Sequence, residues 1–546
     1  MGADPLPGPD IPAPRLRPVP AAAADYAGRV HPVARAAGPL LASVLLLAGC
    51  VAPAPEGGDQ IRLSAEPRVA VDRPQFPAVD PAVAGLVAGL PGDGLTAYLA
   101  QTVAWSDCGD GTECATVLAP LDYADPAAKA VTLALRRLPA TAEPRLGSLF
   151  VNPGGPGGSG RELVDSFETT GLEQYDIVGW DPRGTGASTP VTCFGAEETD
   201  ALNEADASPD TDEERTALIR AAWAFGRSCW ERSGDLLEHI STIETVRDLD
   251  LLRALVGEEK LTYFGYSYGT QIGATYAELF GRNTGRLVLD AAVDITDNDE
   301  VIQAMGFDLA LGNFAAWCAK QGCSLGGSKP AVLDAVTGLL DDLDANPVRA
   351  GARNLTQSLA VTGIAAMLYG GTGAWETLVL MLEAAQRGNG VGLLRAADAL
   401  NNRDANGDYG PMFYAFPAIS CLDSDDESGV LDADTVWTDD QRKAPIFGRY
   451  FGPQYSCALW PVRPARQLQI RGVDAAPLLV VGGTGDNATP YQQAVDMAGQ
   501  LASAVLVTRE GEGHGSYGNG SACIDEIVVD YLVDGTVPAD GVRCEA

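Results

Sequence analysis

From about Val103 onward, short apolar runs alternate with polar turns in a rhythm that predicts strands followed by helices. Cys114 to Pro120 and Val131 to Arg137 read as strands. Gly147 to Val151 reads as a buried strand entering a glycine-rich loop. Tyr175 to Trp180 reads as another, followed by the turn Asp181-Pro-Arg-Gly-Thr-Gly186. Between Thr242 and Val256 the apolar residues Ile243, Val246, Leu249, Leu252 and Leu255 recur at helical spacing. A strand from Leu261 to Gly265, a helix from Thr270 to Phe280 and a strand from Arg286 to Asp290 follow.

The stretch 295–470 changes character and reads mostly helical, as at Lys329 to Leu343 and Trp375 to Gln386. Strand and helix alternate again at Pro477 to Gly483, Tyr491 to Leu501, Ala504 to Thr508 and Ile524 to Val533. Such alternation implies an α/β fold, a mostly parallel sheet with helices on both faces. The expected organisation is a core of residues 95–293 and 471–546 with a helical cap, 294–470, inserted between its two parts. A signal region, 1–50, and a tether with an N-terminal loop, 51–94, precede them.

Composition adds compartment and partners to this picture. The 546 residues are 46% apolar, enough for a large buried core. Lys and Arg number 37 against 73 Asp and Glu, a net charge of −36 that excludes nucleic acid as a partner because phosphate repels such a surface. Arg29, His31 and Arg35 precede an apolar run from Ala36 to Ala48, too short for a stable membrane anchor but suited to a signal-peptide core. The run ends in Leu47-Ala48-Gly49-Cys50, similar to a bacterial lipobox, in which the Cys is acylated and anchors the exported chain to the membrane. A Pro/Gly/Glu-rich tether, Ala52 to Asp59, follows. Residues 1–29 are Pro/Ala-rich and have no place ahead of an export signal, so the true start is expected near Val30.

Setting Cys50 aside, ten of the 11 cysteines remain, an even number that reads as disulfides outside the cytosol. The simplest connectivity joins sequential neighbours: 108–114, 193–229, 318–323, 421–457 and 523–544. With no CxxC pair and three His in the chain, no metal site is expected.

The chemistry centres on Gly265-Tyr266-Ser267-Tyr268-Gly269, a G-x-S-x-G pattern with a strand before it and a helix after it. Small residues at both ends let strand and helix pack closely, so the turn pushes the Ser267 hydroxyl out of the sheet at the positive end of the helix. A Ser hydroxyl needs a base. His31 lies in the signal region and His239 precedes the nucleophile, which leaves His514, after the last predicted strand. The order Ser, acid, His is that of the α/β-hydrolase fold. Asp486, in the loop after Leu478 to Gly485, is the expected acid that orients His514, with Asp290 at the end of the preceding core strand as its rival. The oxyanion needs backbone donors: Tyr268, just after the nucleophile, and Gly155 in the loop Asn152-Pro-Gly-Gly-Pro-Gly-Gly-Ser-Gly160. That loop lacks the Lys of a phosphate-binding P-loop.

Phe150-Val-Asn-Pro-Gly-Gly-Pro-Gly-Gly-Ser-Gly160, Trp180-Asp-Pro-Arg-Gly-Thr-Gly-Ala-Ser188, Gly265-Tyr-Ser-Tyr-Gly-Thr270 and Asp486-Asn-Ala-Thr-Pro490 through His514 together resemble the actinobacterial secreted tripeptidyl aminopeptidases, relatives of prolyl iminopeptidase. The resemblance covers roughly residues 95–546. It implies an exopeptidase acting at a free peptide N-terminus, with no metal or organic cofactor. It puts the triad on Ser267, Asp486 and His514 and the oxyanion loop on Gly155. Leu289-Asp290-Ala291-Ala292 and Gly281 depart from the family pattern without touching the triad. Cys421-Leu-Asp423 resembles the family's Cys-x-Asp, which makes Asp423 a candidate for binding the substrate ammonium, against an ordinary acidic loop. A carboxylester or lipid-ester hydrolase shares fold and triad, and a lipoprotein that binds peptides without turnover is the reading outside catalysis.

Overall fold

The computed structural model describes residues 76–296, 300–424, 429–465 and 467–545. The export signal, the lipid attachment at Cys50 and the tether up to residue 75 lie outside the described residues.

Eleven strands form one sheet. The strands of the chain are β1 (Val87–Ala88), β2 (Ser106–Gly109), β3 (Thr112–Pro120), β4 (Lys129–Leu138), β5 (Gly147–Asn152), β6 (Tyr175–Trp180), β7 (Leu261–Tyr266), β8 (Thr284–Asp290), β9 (Val348–Ala350), β10 (Arg353–Leu355), β11 (Leu478–Gly485), β12 (Ala504–Glu512) and β13 (Val542–Glu545). The sheet order is β13-β12-β11-β8-β7-β5-β6-β4-β3-β2, with β1 beside β4; β9 and β10 form a separate hairpin. From β6 through β13 the sheet neighbours run parallel, and β4 turns the sheet antiparallel toward β2.

Every residue of β5 and β6 is buried, as a parallel sheet covered on both faces requires. Alternate side chains feed two cores. Leu149, Val151, Phe264, Val288, Leu479, Val481 and Val507 pack with Ile524, Val528 and Tyr531 of the C-terminal Ala522–Asp534 helix. Phe150, Tyr263, Leu287, Leu289 and Val480 point the other way, onto the Thr242–Leu255 and Tyr268–Leu279 helices.

The insertion divides into two packing units. The helices Gln303–Gln321, Lys329–Ala345, Gln357–Tyr369, Trp375–Gln386 and Val391–Leu400 share a core of their own. The Pro411–Asp423 helix instead contributes Tyr414, Ala415, Ala418 and Ile419 to the sheet's core. A 22-residue helix, Asp212–Ser233, lies between β6 and β7 in sequence and reaches the insertion, where Arg215 pairs with Asp434. It begins on a capping box in which Thr211 and Glu214 satisfy each other's backbone N–H.

Five disulfides join Cys108–Cys114, Cys193–Cys229, Cys318–Cys323, Cys421–Cys457 and Cys523–Cys544, each pair sequential neighbours. They are the signature of a chain that folds in an oxidising compartment. Among the described residues no helix is long and apolar enough to cross a membrane.

Candidate active site

The loops that leave the C-terminal ends of β5, β7, β8, β11 and β12 converge on one edge of the sheet, where open α/β sheets bind ligands. Ser267 sits between β7 and the Tyr268–Leu279 helix with φ 55° and ψ −127°, a backbone conformation that side chains other than glycine rarely adopt. The turn is held from outside: the Ser267 N–H donates to the Asp290 carbonyl at 2.9 Å. A Cβ at Gly265 would collide with the Gly269 carbonyl, so the tight strand-to-helix turn needs glycine there. Tyr268 is the first helical residue, and its N–H belongs to the turn whose donors have no carbonyl within the helix.

His514 follows β12, and its Nδ1 lies 2.8 Å from Asp486 Oδ1 and 3.0 Å from Oδ2. Asp486 is buried and fixed by its own loop, accepting from the N–H groups of Ala488 and Thr489 at 2.9 Å each. Burial alone would push the imidazole pKa down, but the charge and hydrogen bond of Asp486, helped by Asp290, hold it above the ordinary 6.5. Asp290, the rival acid, makes no bond to the imidazole; its Oδ2 accepts from the N–H groups of Ser516 and Tyr517. His239 is remote from this cluster. Its carbonyl accepts from Arg183, whose buried guanidinium also pairs with Asp248 at 2.6 Å.

The glycine-rich loop after β5 lies against the turn that carries Ser267. Asn152 Oδ1 accepts from the Gly154 N–H at 2.8 Å, and Gly155, at φ +110°, lines the cavity above Ser267. Asp181 anchors the far end of the loop, accepting from Ser159 Oγ at 2.5 Å and from the Ala187 N–H at 2.7 Å. The Trp180 to Ser188 turn therefore braces the loop that carries Gly155.

Ser267, His514 and Gly155 share one cavity of about 530 Å³. Its opposite wall comes from Met412, Phe413 and Phe416 of the Pro411–Asp423 helix and from Gln454 and Ser456. The Cys421–Cys457 disulfide is part of that wall. Asp423 does not line it. Its carboxylate accepts from the Thr242 N–H at 2.9 Å and from Thr242 Oγ1 at 2.6 Å, and Thr242 Oγ1 in turn meets the Tyr268 hydroxyl. The side chain expected to meet a substrate ammonium is engaged with the start of the Thr242–Leu255 helix instead. The residue is partly exposed, but its carboxyl is enclosed by these partners, and burial pushes its pKa up to about 6. Among the described residues, none that lines the cavity carries a carboxylate.

A family model described as TAP-like protein matches residues 444–544. The serine protease Hip1 of Mycobacterium tuberculosis is 36% identical over 484 residues, covering 82% of this chain and 91% of the relative. Carboxylesterase B of the same species is 36% identical over 507 residues, 86% of this chain and 95% of the relative. Tripeptidyl aminopeptidase of Streptomyces lividans is 31% identical over 469 residues, 81% of this chain and 86% of the relative. The chain belongs to the tripeptidyl aminopeptidase-like family of α/β-hydrolases. It is a serine hydrolase.

Two contacts of this family member lie beyond the reach of its sequence motifs. The ring of Tyr369, at the end of a cap helix, stands edge-on to His514 at 5.4 Å, and the Tyr369 carbonyl faces the His514 N–H. Gly306, in the Gln303–Gln321 helix, passes so close to the loop after β11 that a Cβ there would lie 3.0 Å from the Asp486 carbonyl. Neither residue carries a local signal, because each meets the site through packing between elements distant in sequence. Asn152 stands within the quoted glycine-rich run, and an Asn before Pro-Gly-Gly is a turn signal that points to its side-chain bond.

Proposed function

We propose that this serine hydrolase is an exported exopeptidase that releases short peptides from a free N-terminus through an acyl-enzyme on Ser267. His514 takes the Ser267 proton as the hydroxyl attacks the scissile carbonyl, then gives it to the leaving amine. Asp486 orients the imidazole and stabilises its charged form. The N–H groups of Tyr268 and Gly155 receive the oxyanion. The observation that carries the reading is the cavity itself: about 530 Å³, with Ser267 and His514 on one wall and the insertion on the other. That volume is of the size that holds small ligands and short peptides, not a folded substrate. With no carboxylate on the described wall, the substrate ammonium would rest against neutral oxygens, for which Asn401, Gln454 and Ser456 are available.

The same neutral, largely apolar wall favours a second reading, a carboxylester hydrolase using the same three residues. A paired assay separates them: a chromogenic tripeptide anilide with a free N-terminus, its N-acetylated twin and a short-chain ester. Cleavage of the free form alone supports the exopeptidase. Equal cleavage of the acetylated twin, or of the ester alone, overturns it and leaves the serine hydrolase. Acylation at Cys50 would hold the enzyme on the outer face of the membrane; the mass of the mature N-terminal peptide tests this, and an unmodified Cys50 sinks it.

A further inference from the structure

We infer that Asp290 is a positioning residue for the hydrolytic site, a second buried carboxylate that couples the nucleophile's turn to the loop of the base. The inference rests on the roles proposed for Ser267, Asp486 and His514. Asp290 ends β8, between Tyr266 on β7 and Val481 on β11 in the sheet register, and so stands between the strands that carry nucleophile and acid. Its carbonyl accepts the Ser267 N–H at 2.9 Å. Its Oδ2 accepts the N–H groups of Ser516 at 2.9 Å and Tyr517 at 2.8 Å, two and three residues beyond His514. One residue thus fixes both the Ser267 turn and the loop that follows His514.

The carboxylate has more to do than shape a turn. Asp290 is fully buried, and its Oδ1 has no hydrogen-bond partner. A buried charge left half satisfied is costly, and a neutral acceptor could hold the same two N–H groups. What the charge adds is electrostatic. The ionisable groups facing it are Asp486 on the loop after β11, His514 on the loop after β12, and the Tyr266 phenol at the end of β7. Its negative charge favours the imidazolium of His514, the form that appears once Ser267 has given up its proton. Burial pushes the Asp290 pKa up to about 6, against the pull of its two N–H donors, so the charge is present at neutral pH and lost as pH falls through about 6.

The test uses the full chain with a short-chain ester, comparing parent, Asp290→Asn and Ser267→Ala. Asn retains an acceptor for Ser516 and Tyr517 but removes the charge. The expected result is an acid limb of kcat/KM displaced to lower pH by about 1 unit, because His514 loses a neighbour that favoured its proton. The plateau should fall about tenfold as the imidazolium formed during the reaction loses a stabilising charge. An unchanged acid limb and plateau in folded Asp290→Asn overturn the inference and reduce Asp290 to a turn residue. Should that variant not fold, titration of the parent's histidine signals decides: the chain has three His, and a His514→Gln spectrum assigns the third. A second inflection near pH 6 in the His514 signal supports the coupling; a single smooth titration overturns it. Parental turnover by Ser267→Ala would overturn the site beneath the inference, and the inference with it.

Discussion

A Cβ on Gly154 would stand 2.9 Å from the Cβ of Ser267 and 2.5 Å from the Tyr266 carbonyl, so the loop after β5 rests directly on the turn that carries Ser267. Gly154 also holds φ +87°, a left-handed value that disfavours any side chain. Gly154→Ala is expected to push Gly155 and its N–H away from the oxyanion position while the sheet beneath stays intact. Loss of one oxyanion donor costs on the order of 10²–10³ in kcat. Ester turnover and thermal unfolding, measured together, check this. A parental kcat would mean that the loop does not supply the donor.

His514 must be neutral to take the Ser267 proton, so kcat/KM should rise with pH through the imidazole pKa, which lies above the ordinary 6.5. Burial works against protonation there, and Asp486 is the first of the groups that outweigh it. Asp486→Asn should therefore move the acid limb to lower pH and also lower kcat by about 10⁴, since an amide no longer stabilises the imidazolium or its tautomer. A variant with low kcat but an unmoved acid limb would separate orientation from charge and contradict the electrostatic part of this account.

The geometry of the candidate site was legible because it is local. Gly265 to Gly269 is a turn whose glycines are demanded within five residues, and three His in the chain leave little choice of base. The buried strands were legible too: Tyr175–Trp180 is apolar throughout, as its burial on both faces requires. Edge strand β13, four residues long, has no such pattern, and exists because Val507 to Glu510 offers it a partner. The Asp212–Ser233 helix had a readable start in Thr211 and Glu214, but its mixed polar face gives weak periodicity. Asp423 shows the limit most clearly. Its motif marks a carboxylate near the site, yet which way that carboxylate turns depends on Thr242, 181 residues away in sequence.

Asp423 also carries a pH signature in stability. Its carboxyl has an ordinary value of 3.8 and is pushed up to about 6 in the folded chain, chiefly by burial. A raised folded value means that its contribution is fully present below the unfolded pKa and is lost as pH rises through about 6. Asp423→Asn removes that loss. The variant's Tm should gain on the parent's between pH 4 and pH 7.5, by roughly 1 °C for each 1 kcal/mol in a chain of this size. Parallel Tm–pH curves would show that the carboxyl does not titrate in this window.

The Cys421–Cys457 bond closes a loop with a sequence separation of 36 and lines the cavity wall opposite Ser267. A cross-link of this span stabilises by about 4 kcal/mol, mostly through the unfolded chain. It also holds the Pro411–Asp423 helix against Gln454 and Ser456, which line the cavity wall opposite Ser267 and His514. Replacing both cysteines by Ser should thus lower Tm and raise KM several-fold more than it lowers kcat. The Cys318–Cys323 bond provides the contrast: its separation is 5 and it lies in the core of the cap, away from the cavity lining. Its removal should leave KM unchanged and cost less stability, since a short loop restrains little chain entropy. Equal effects of the two double substitutions on KM would show that the 421–457 bond acts on overall stability alone and that the wall it belongs to does not select the substrate.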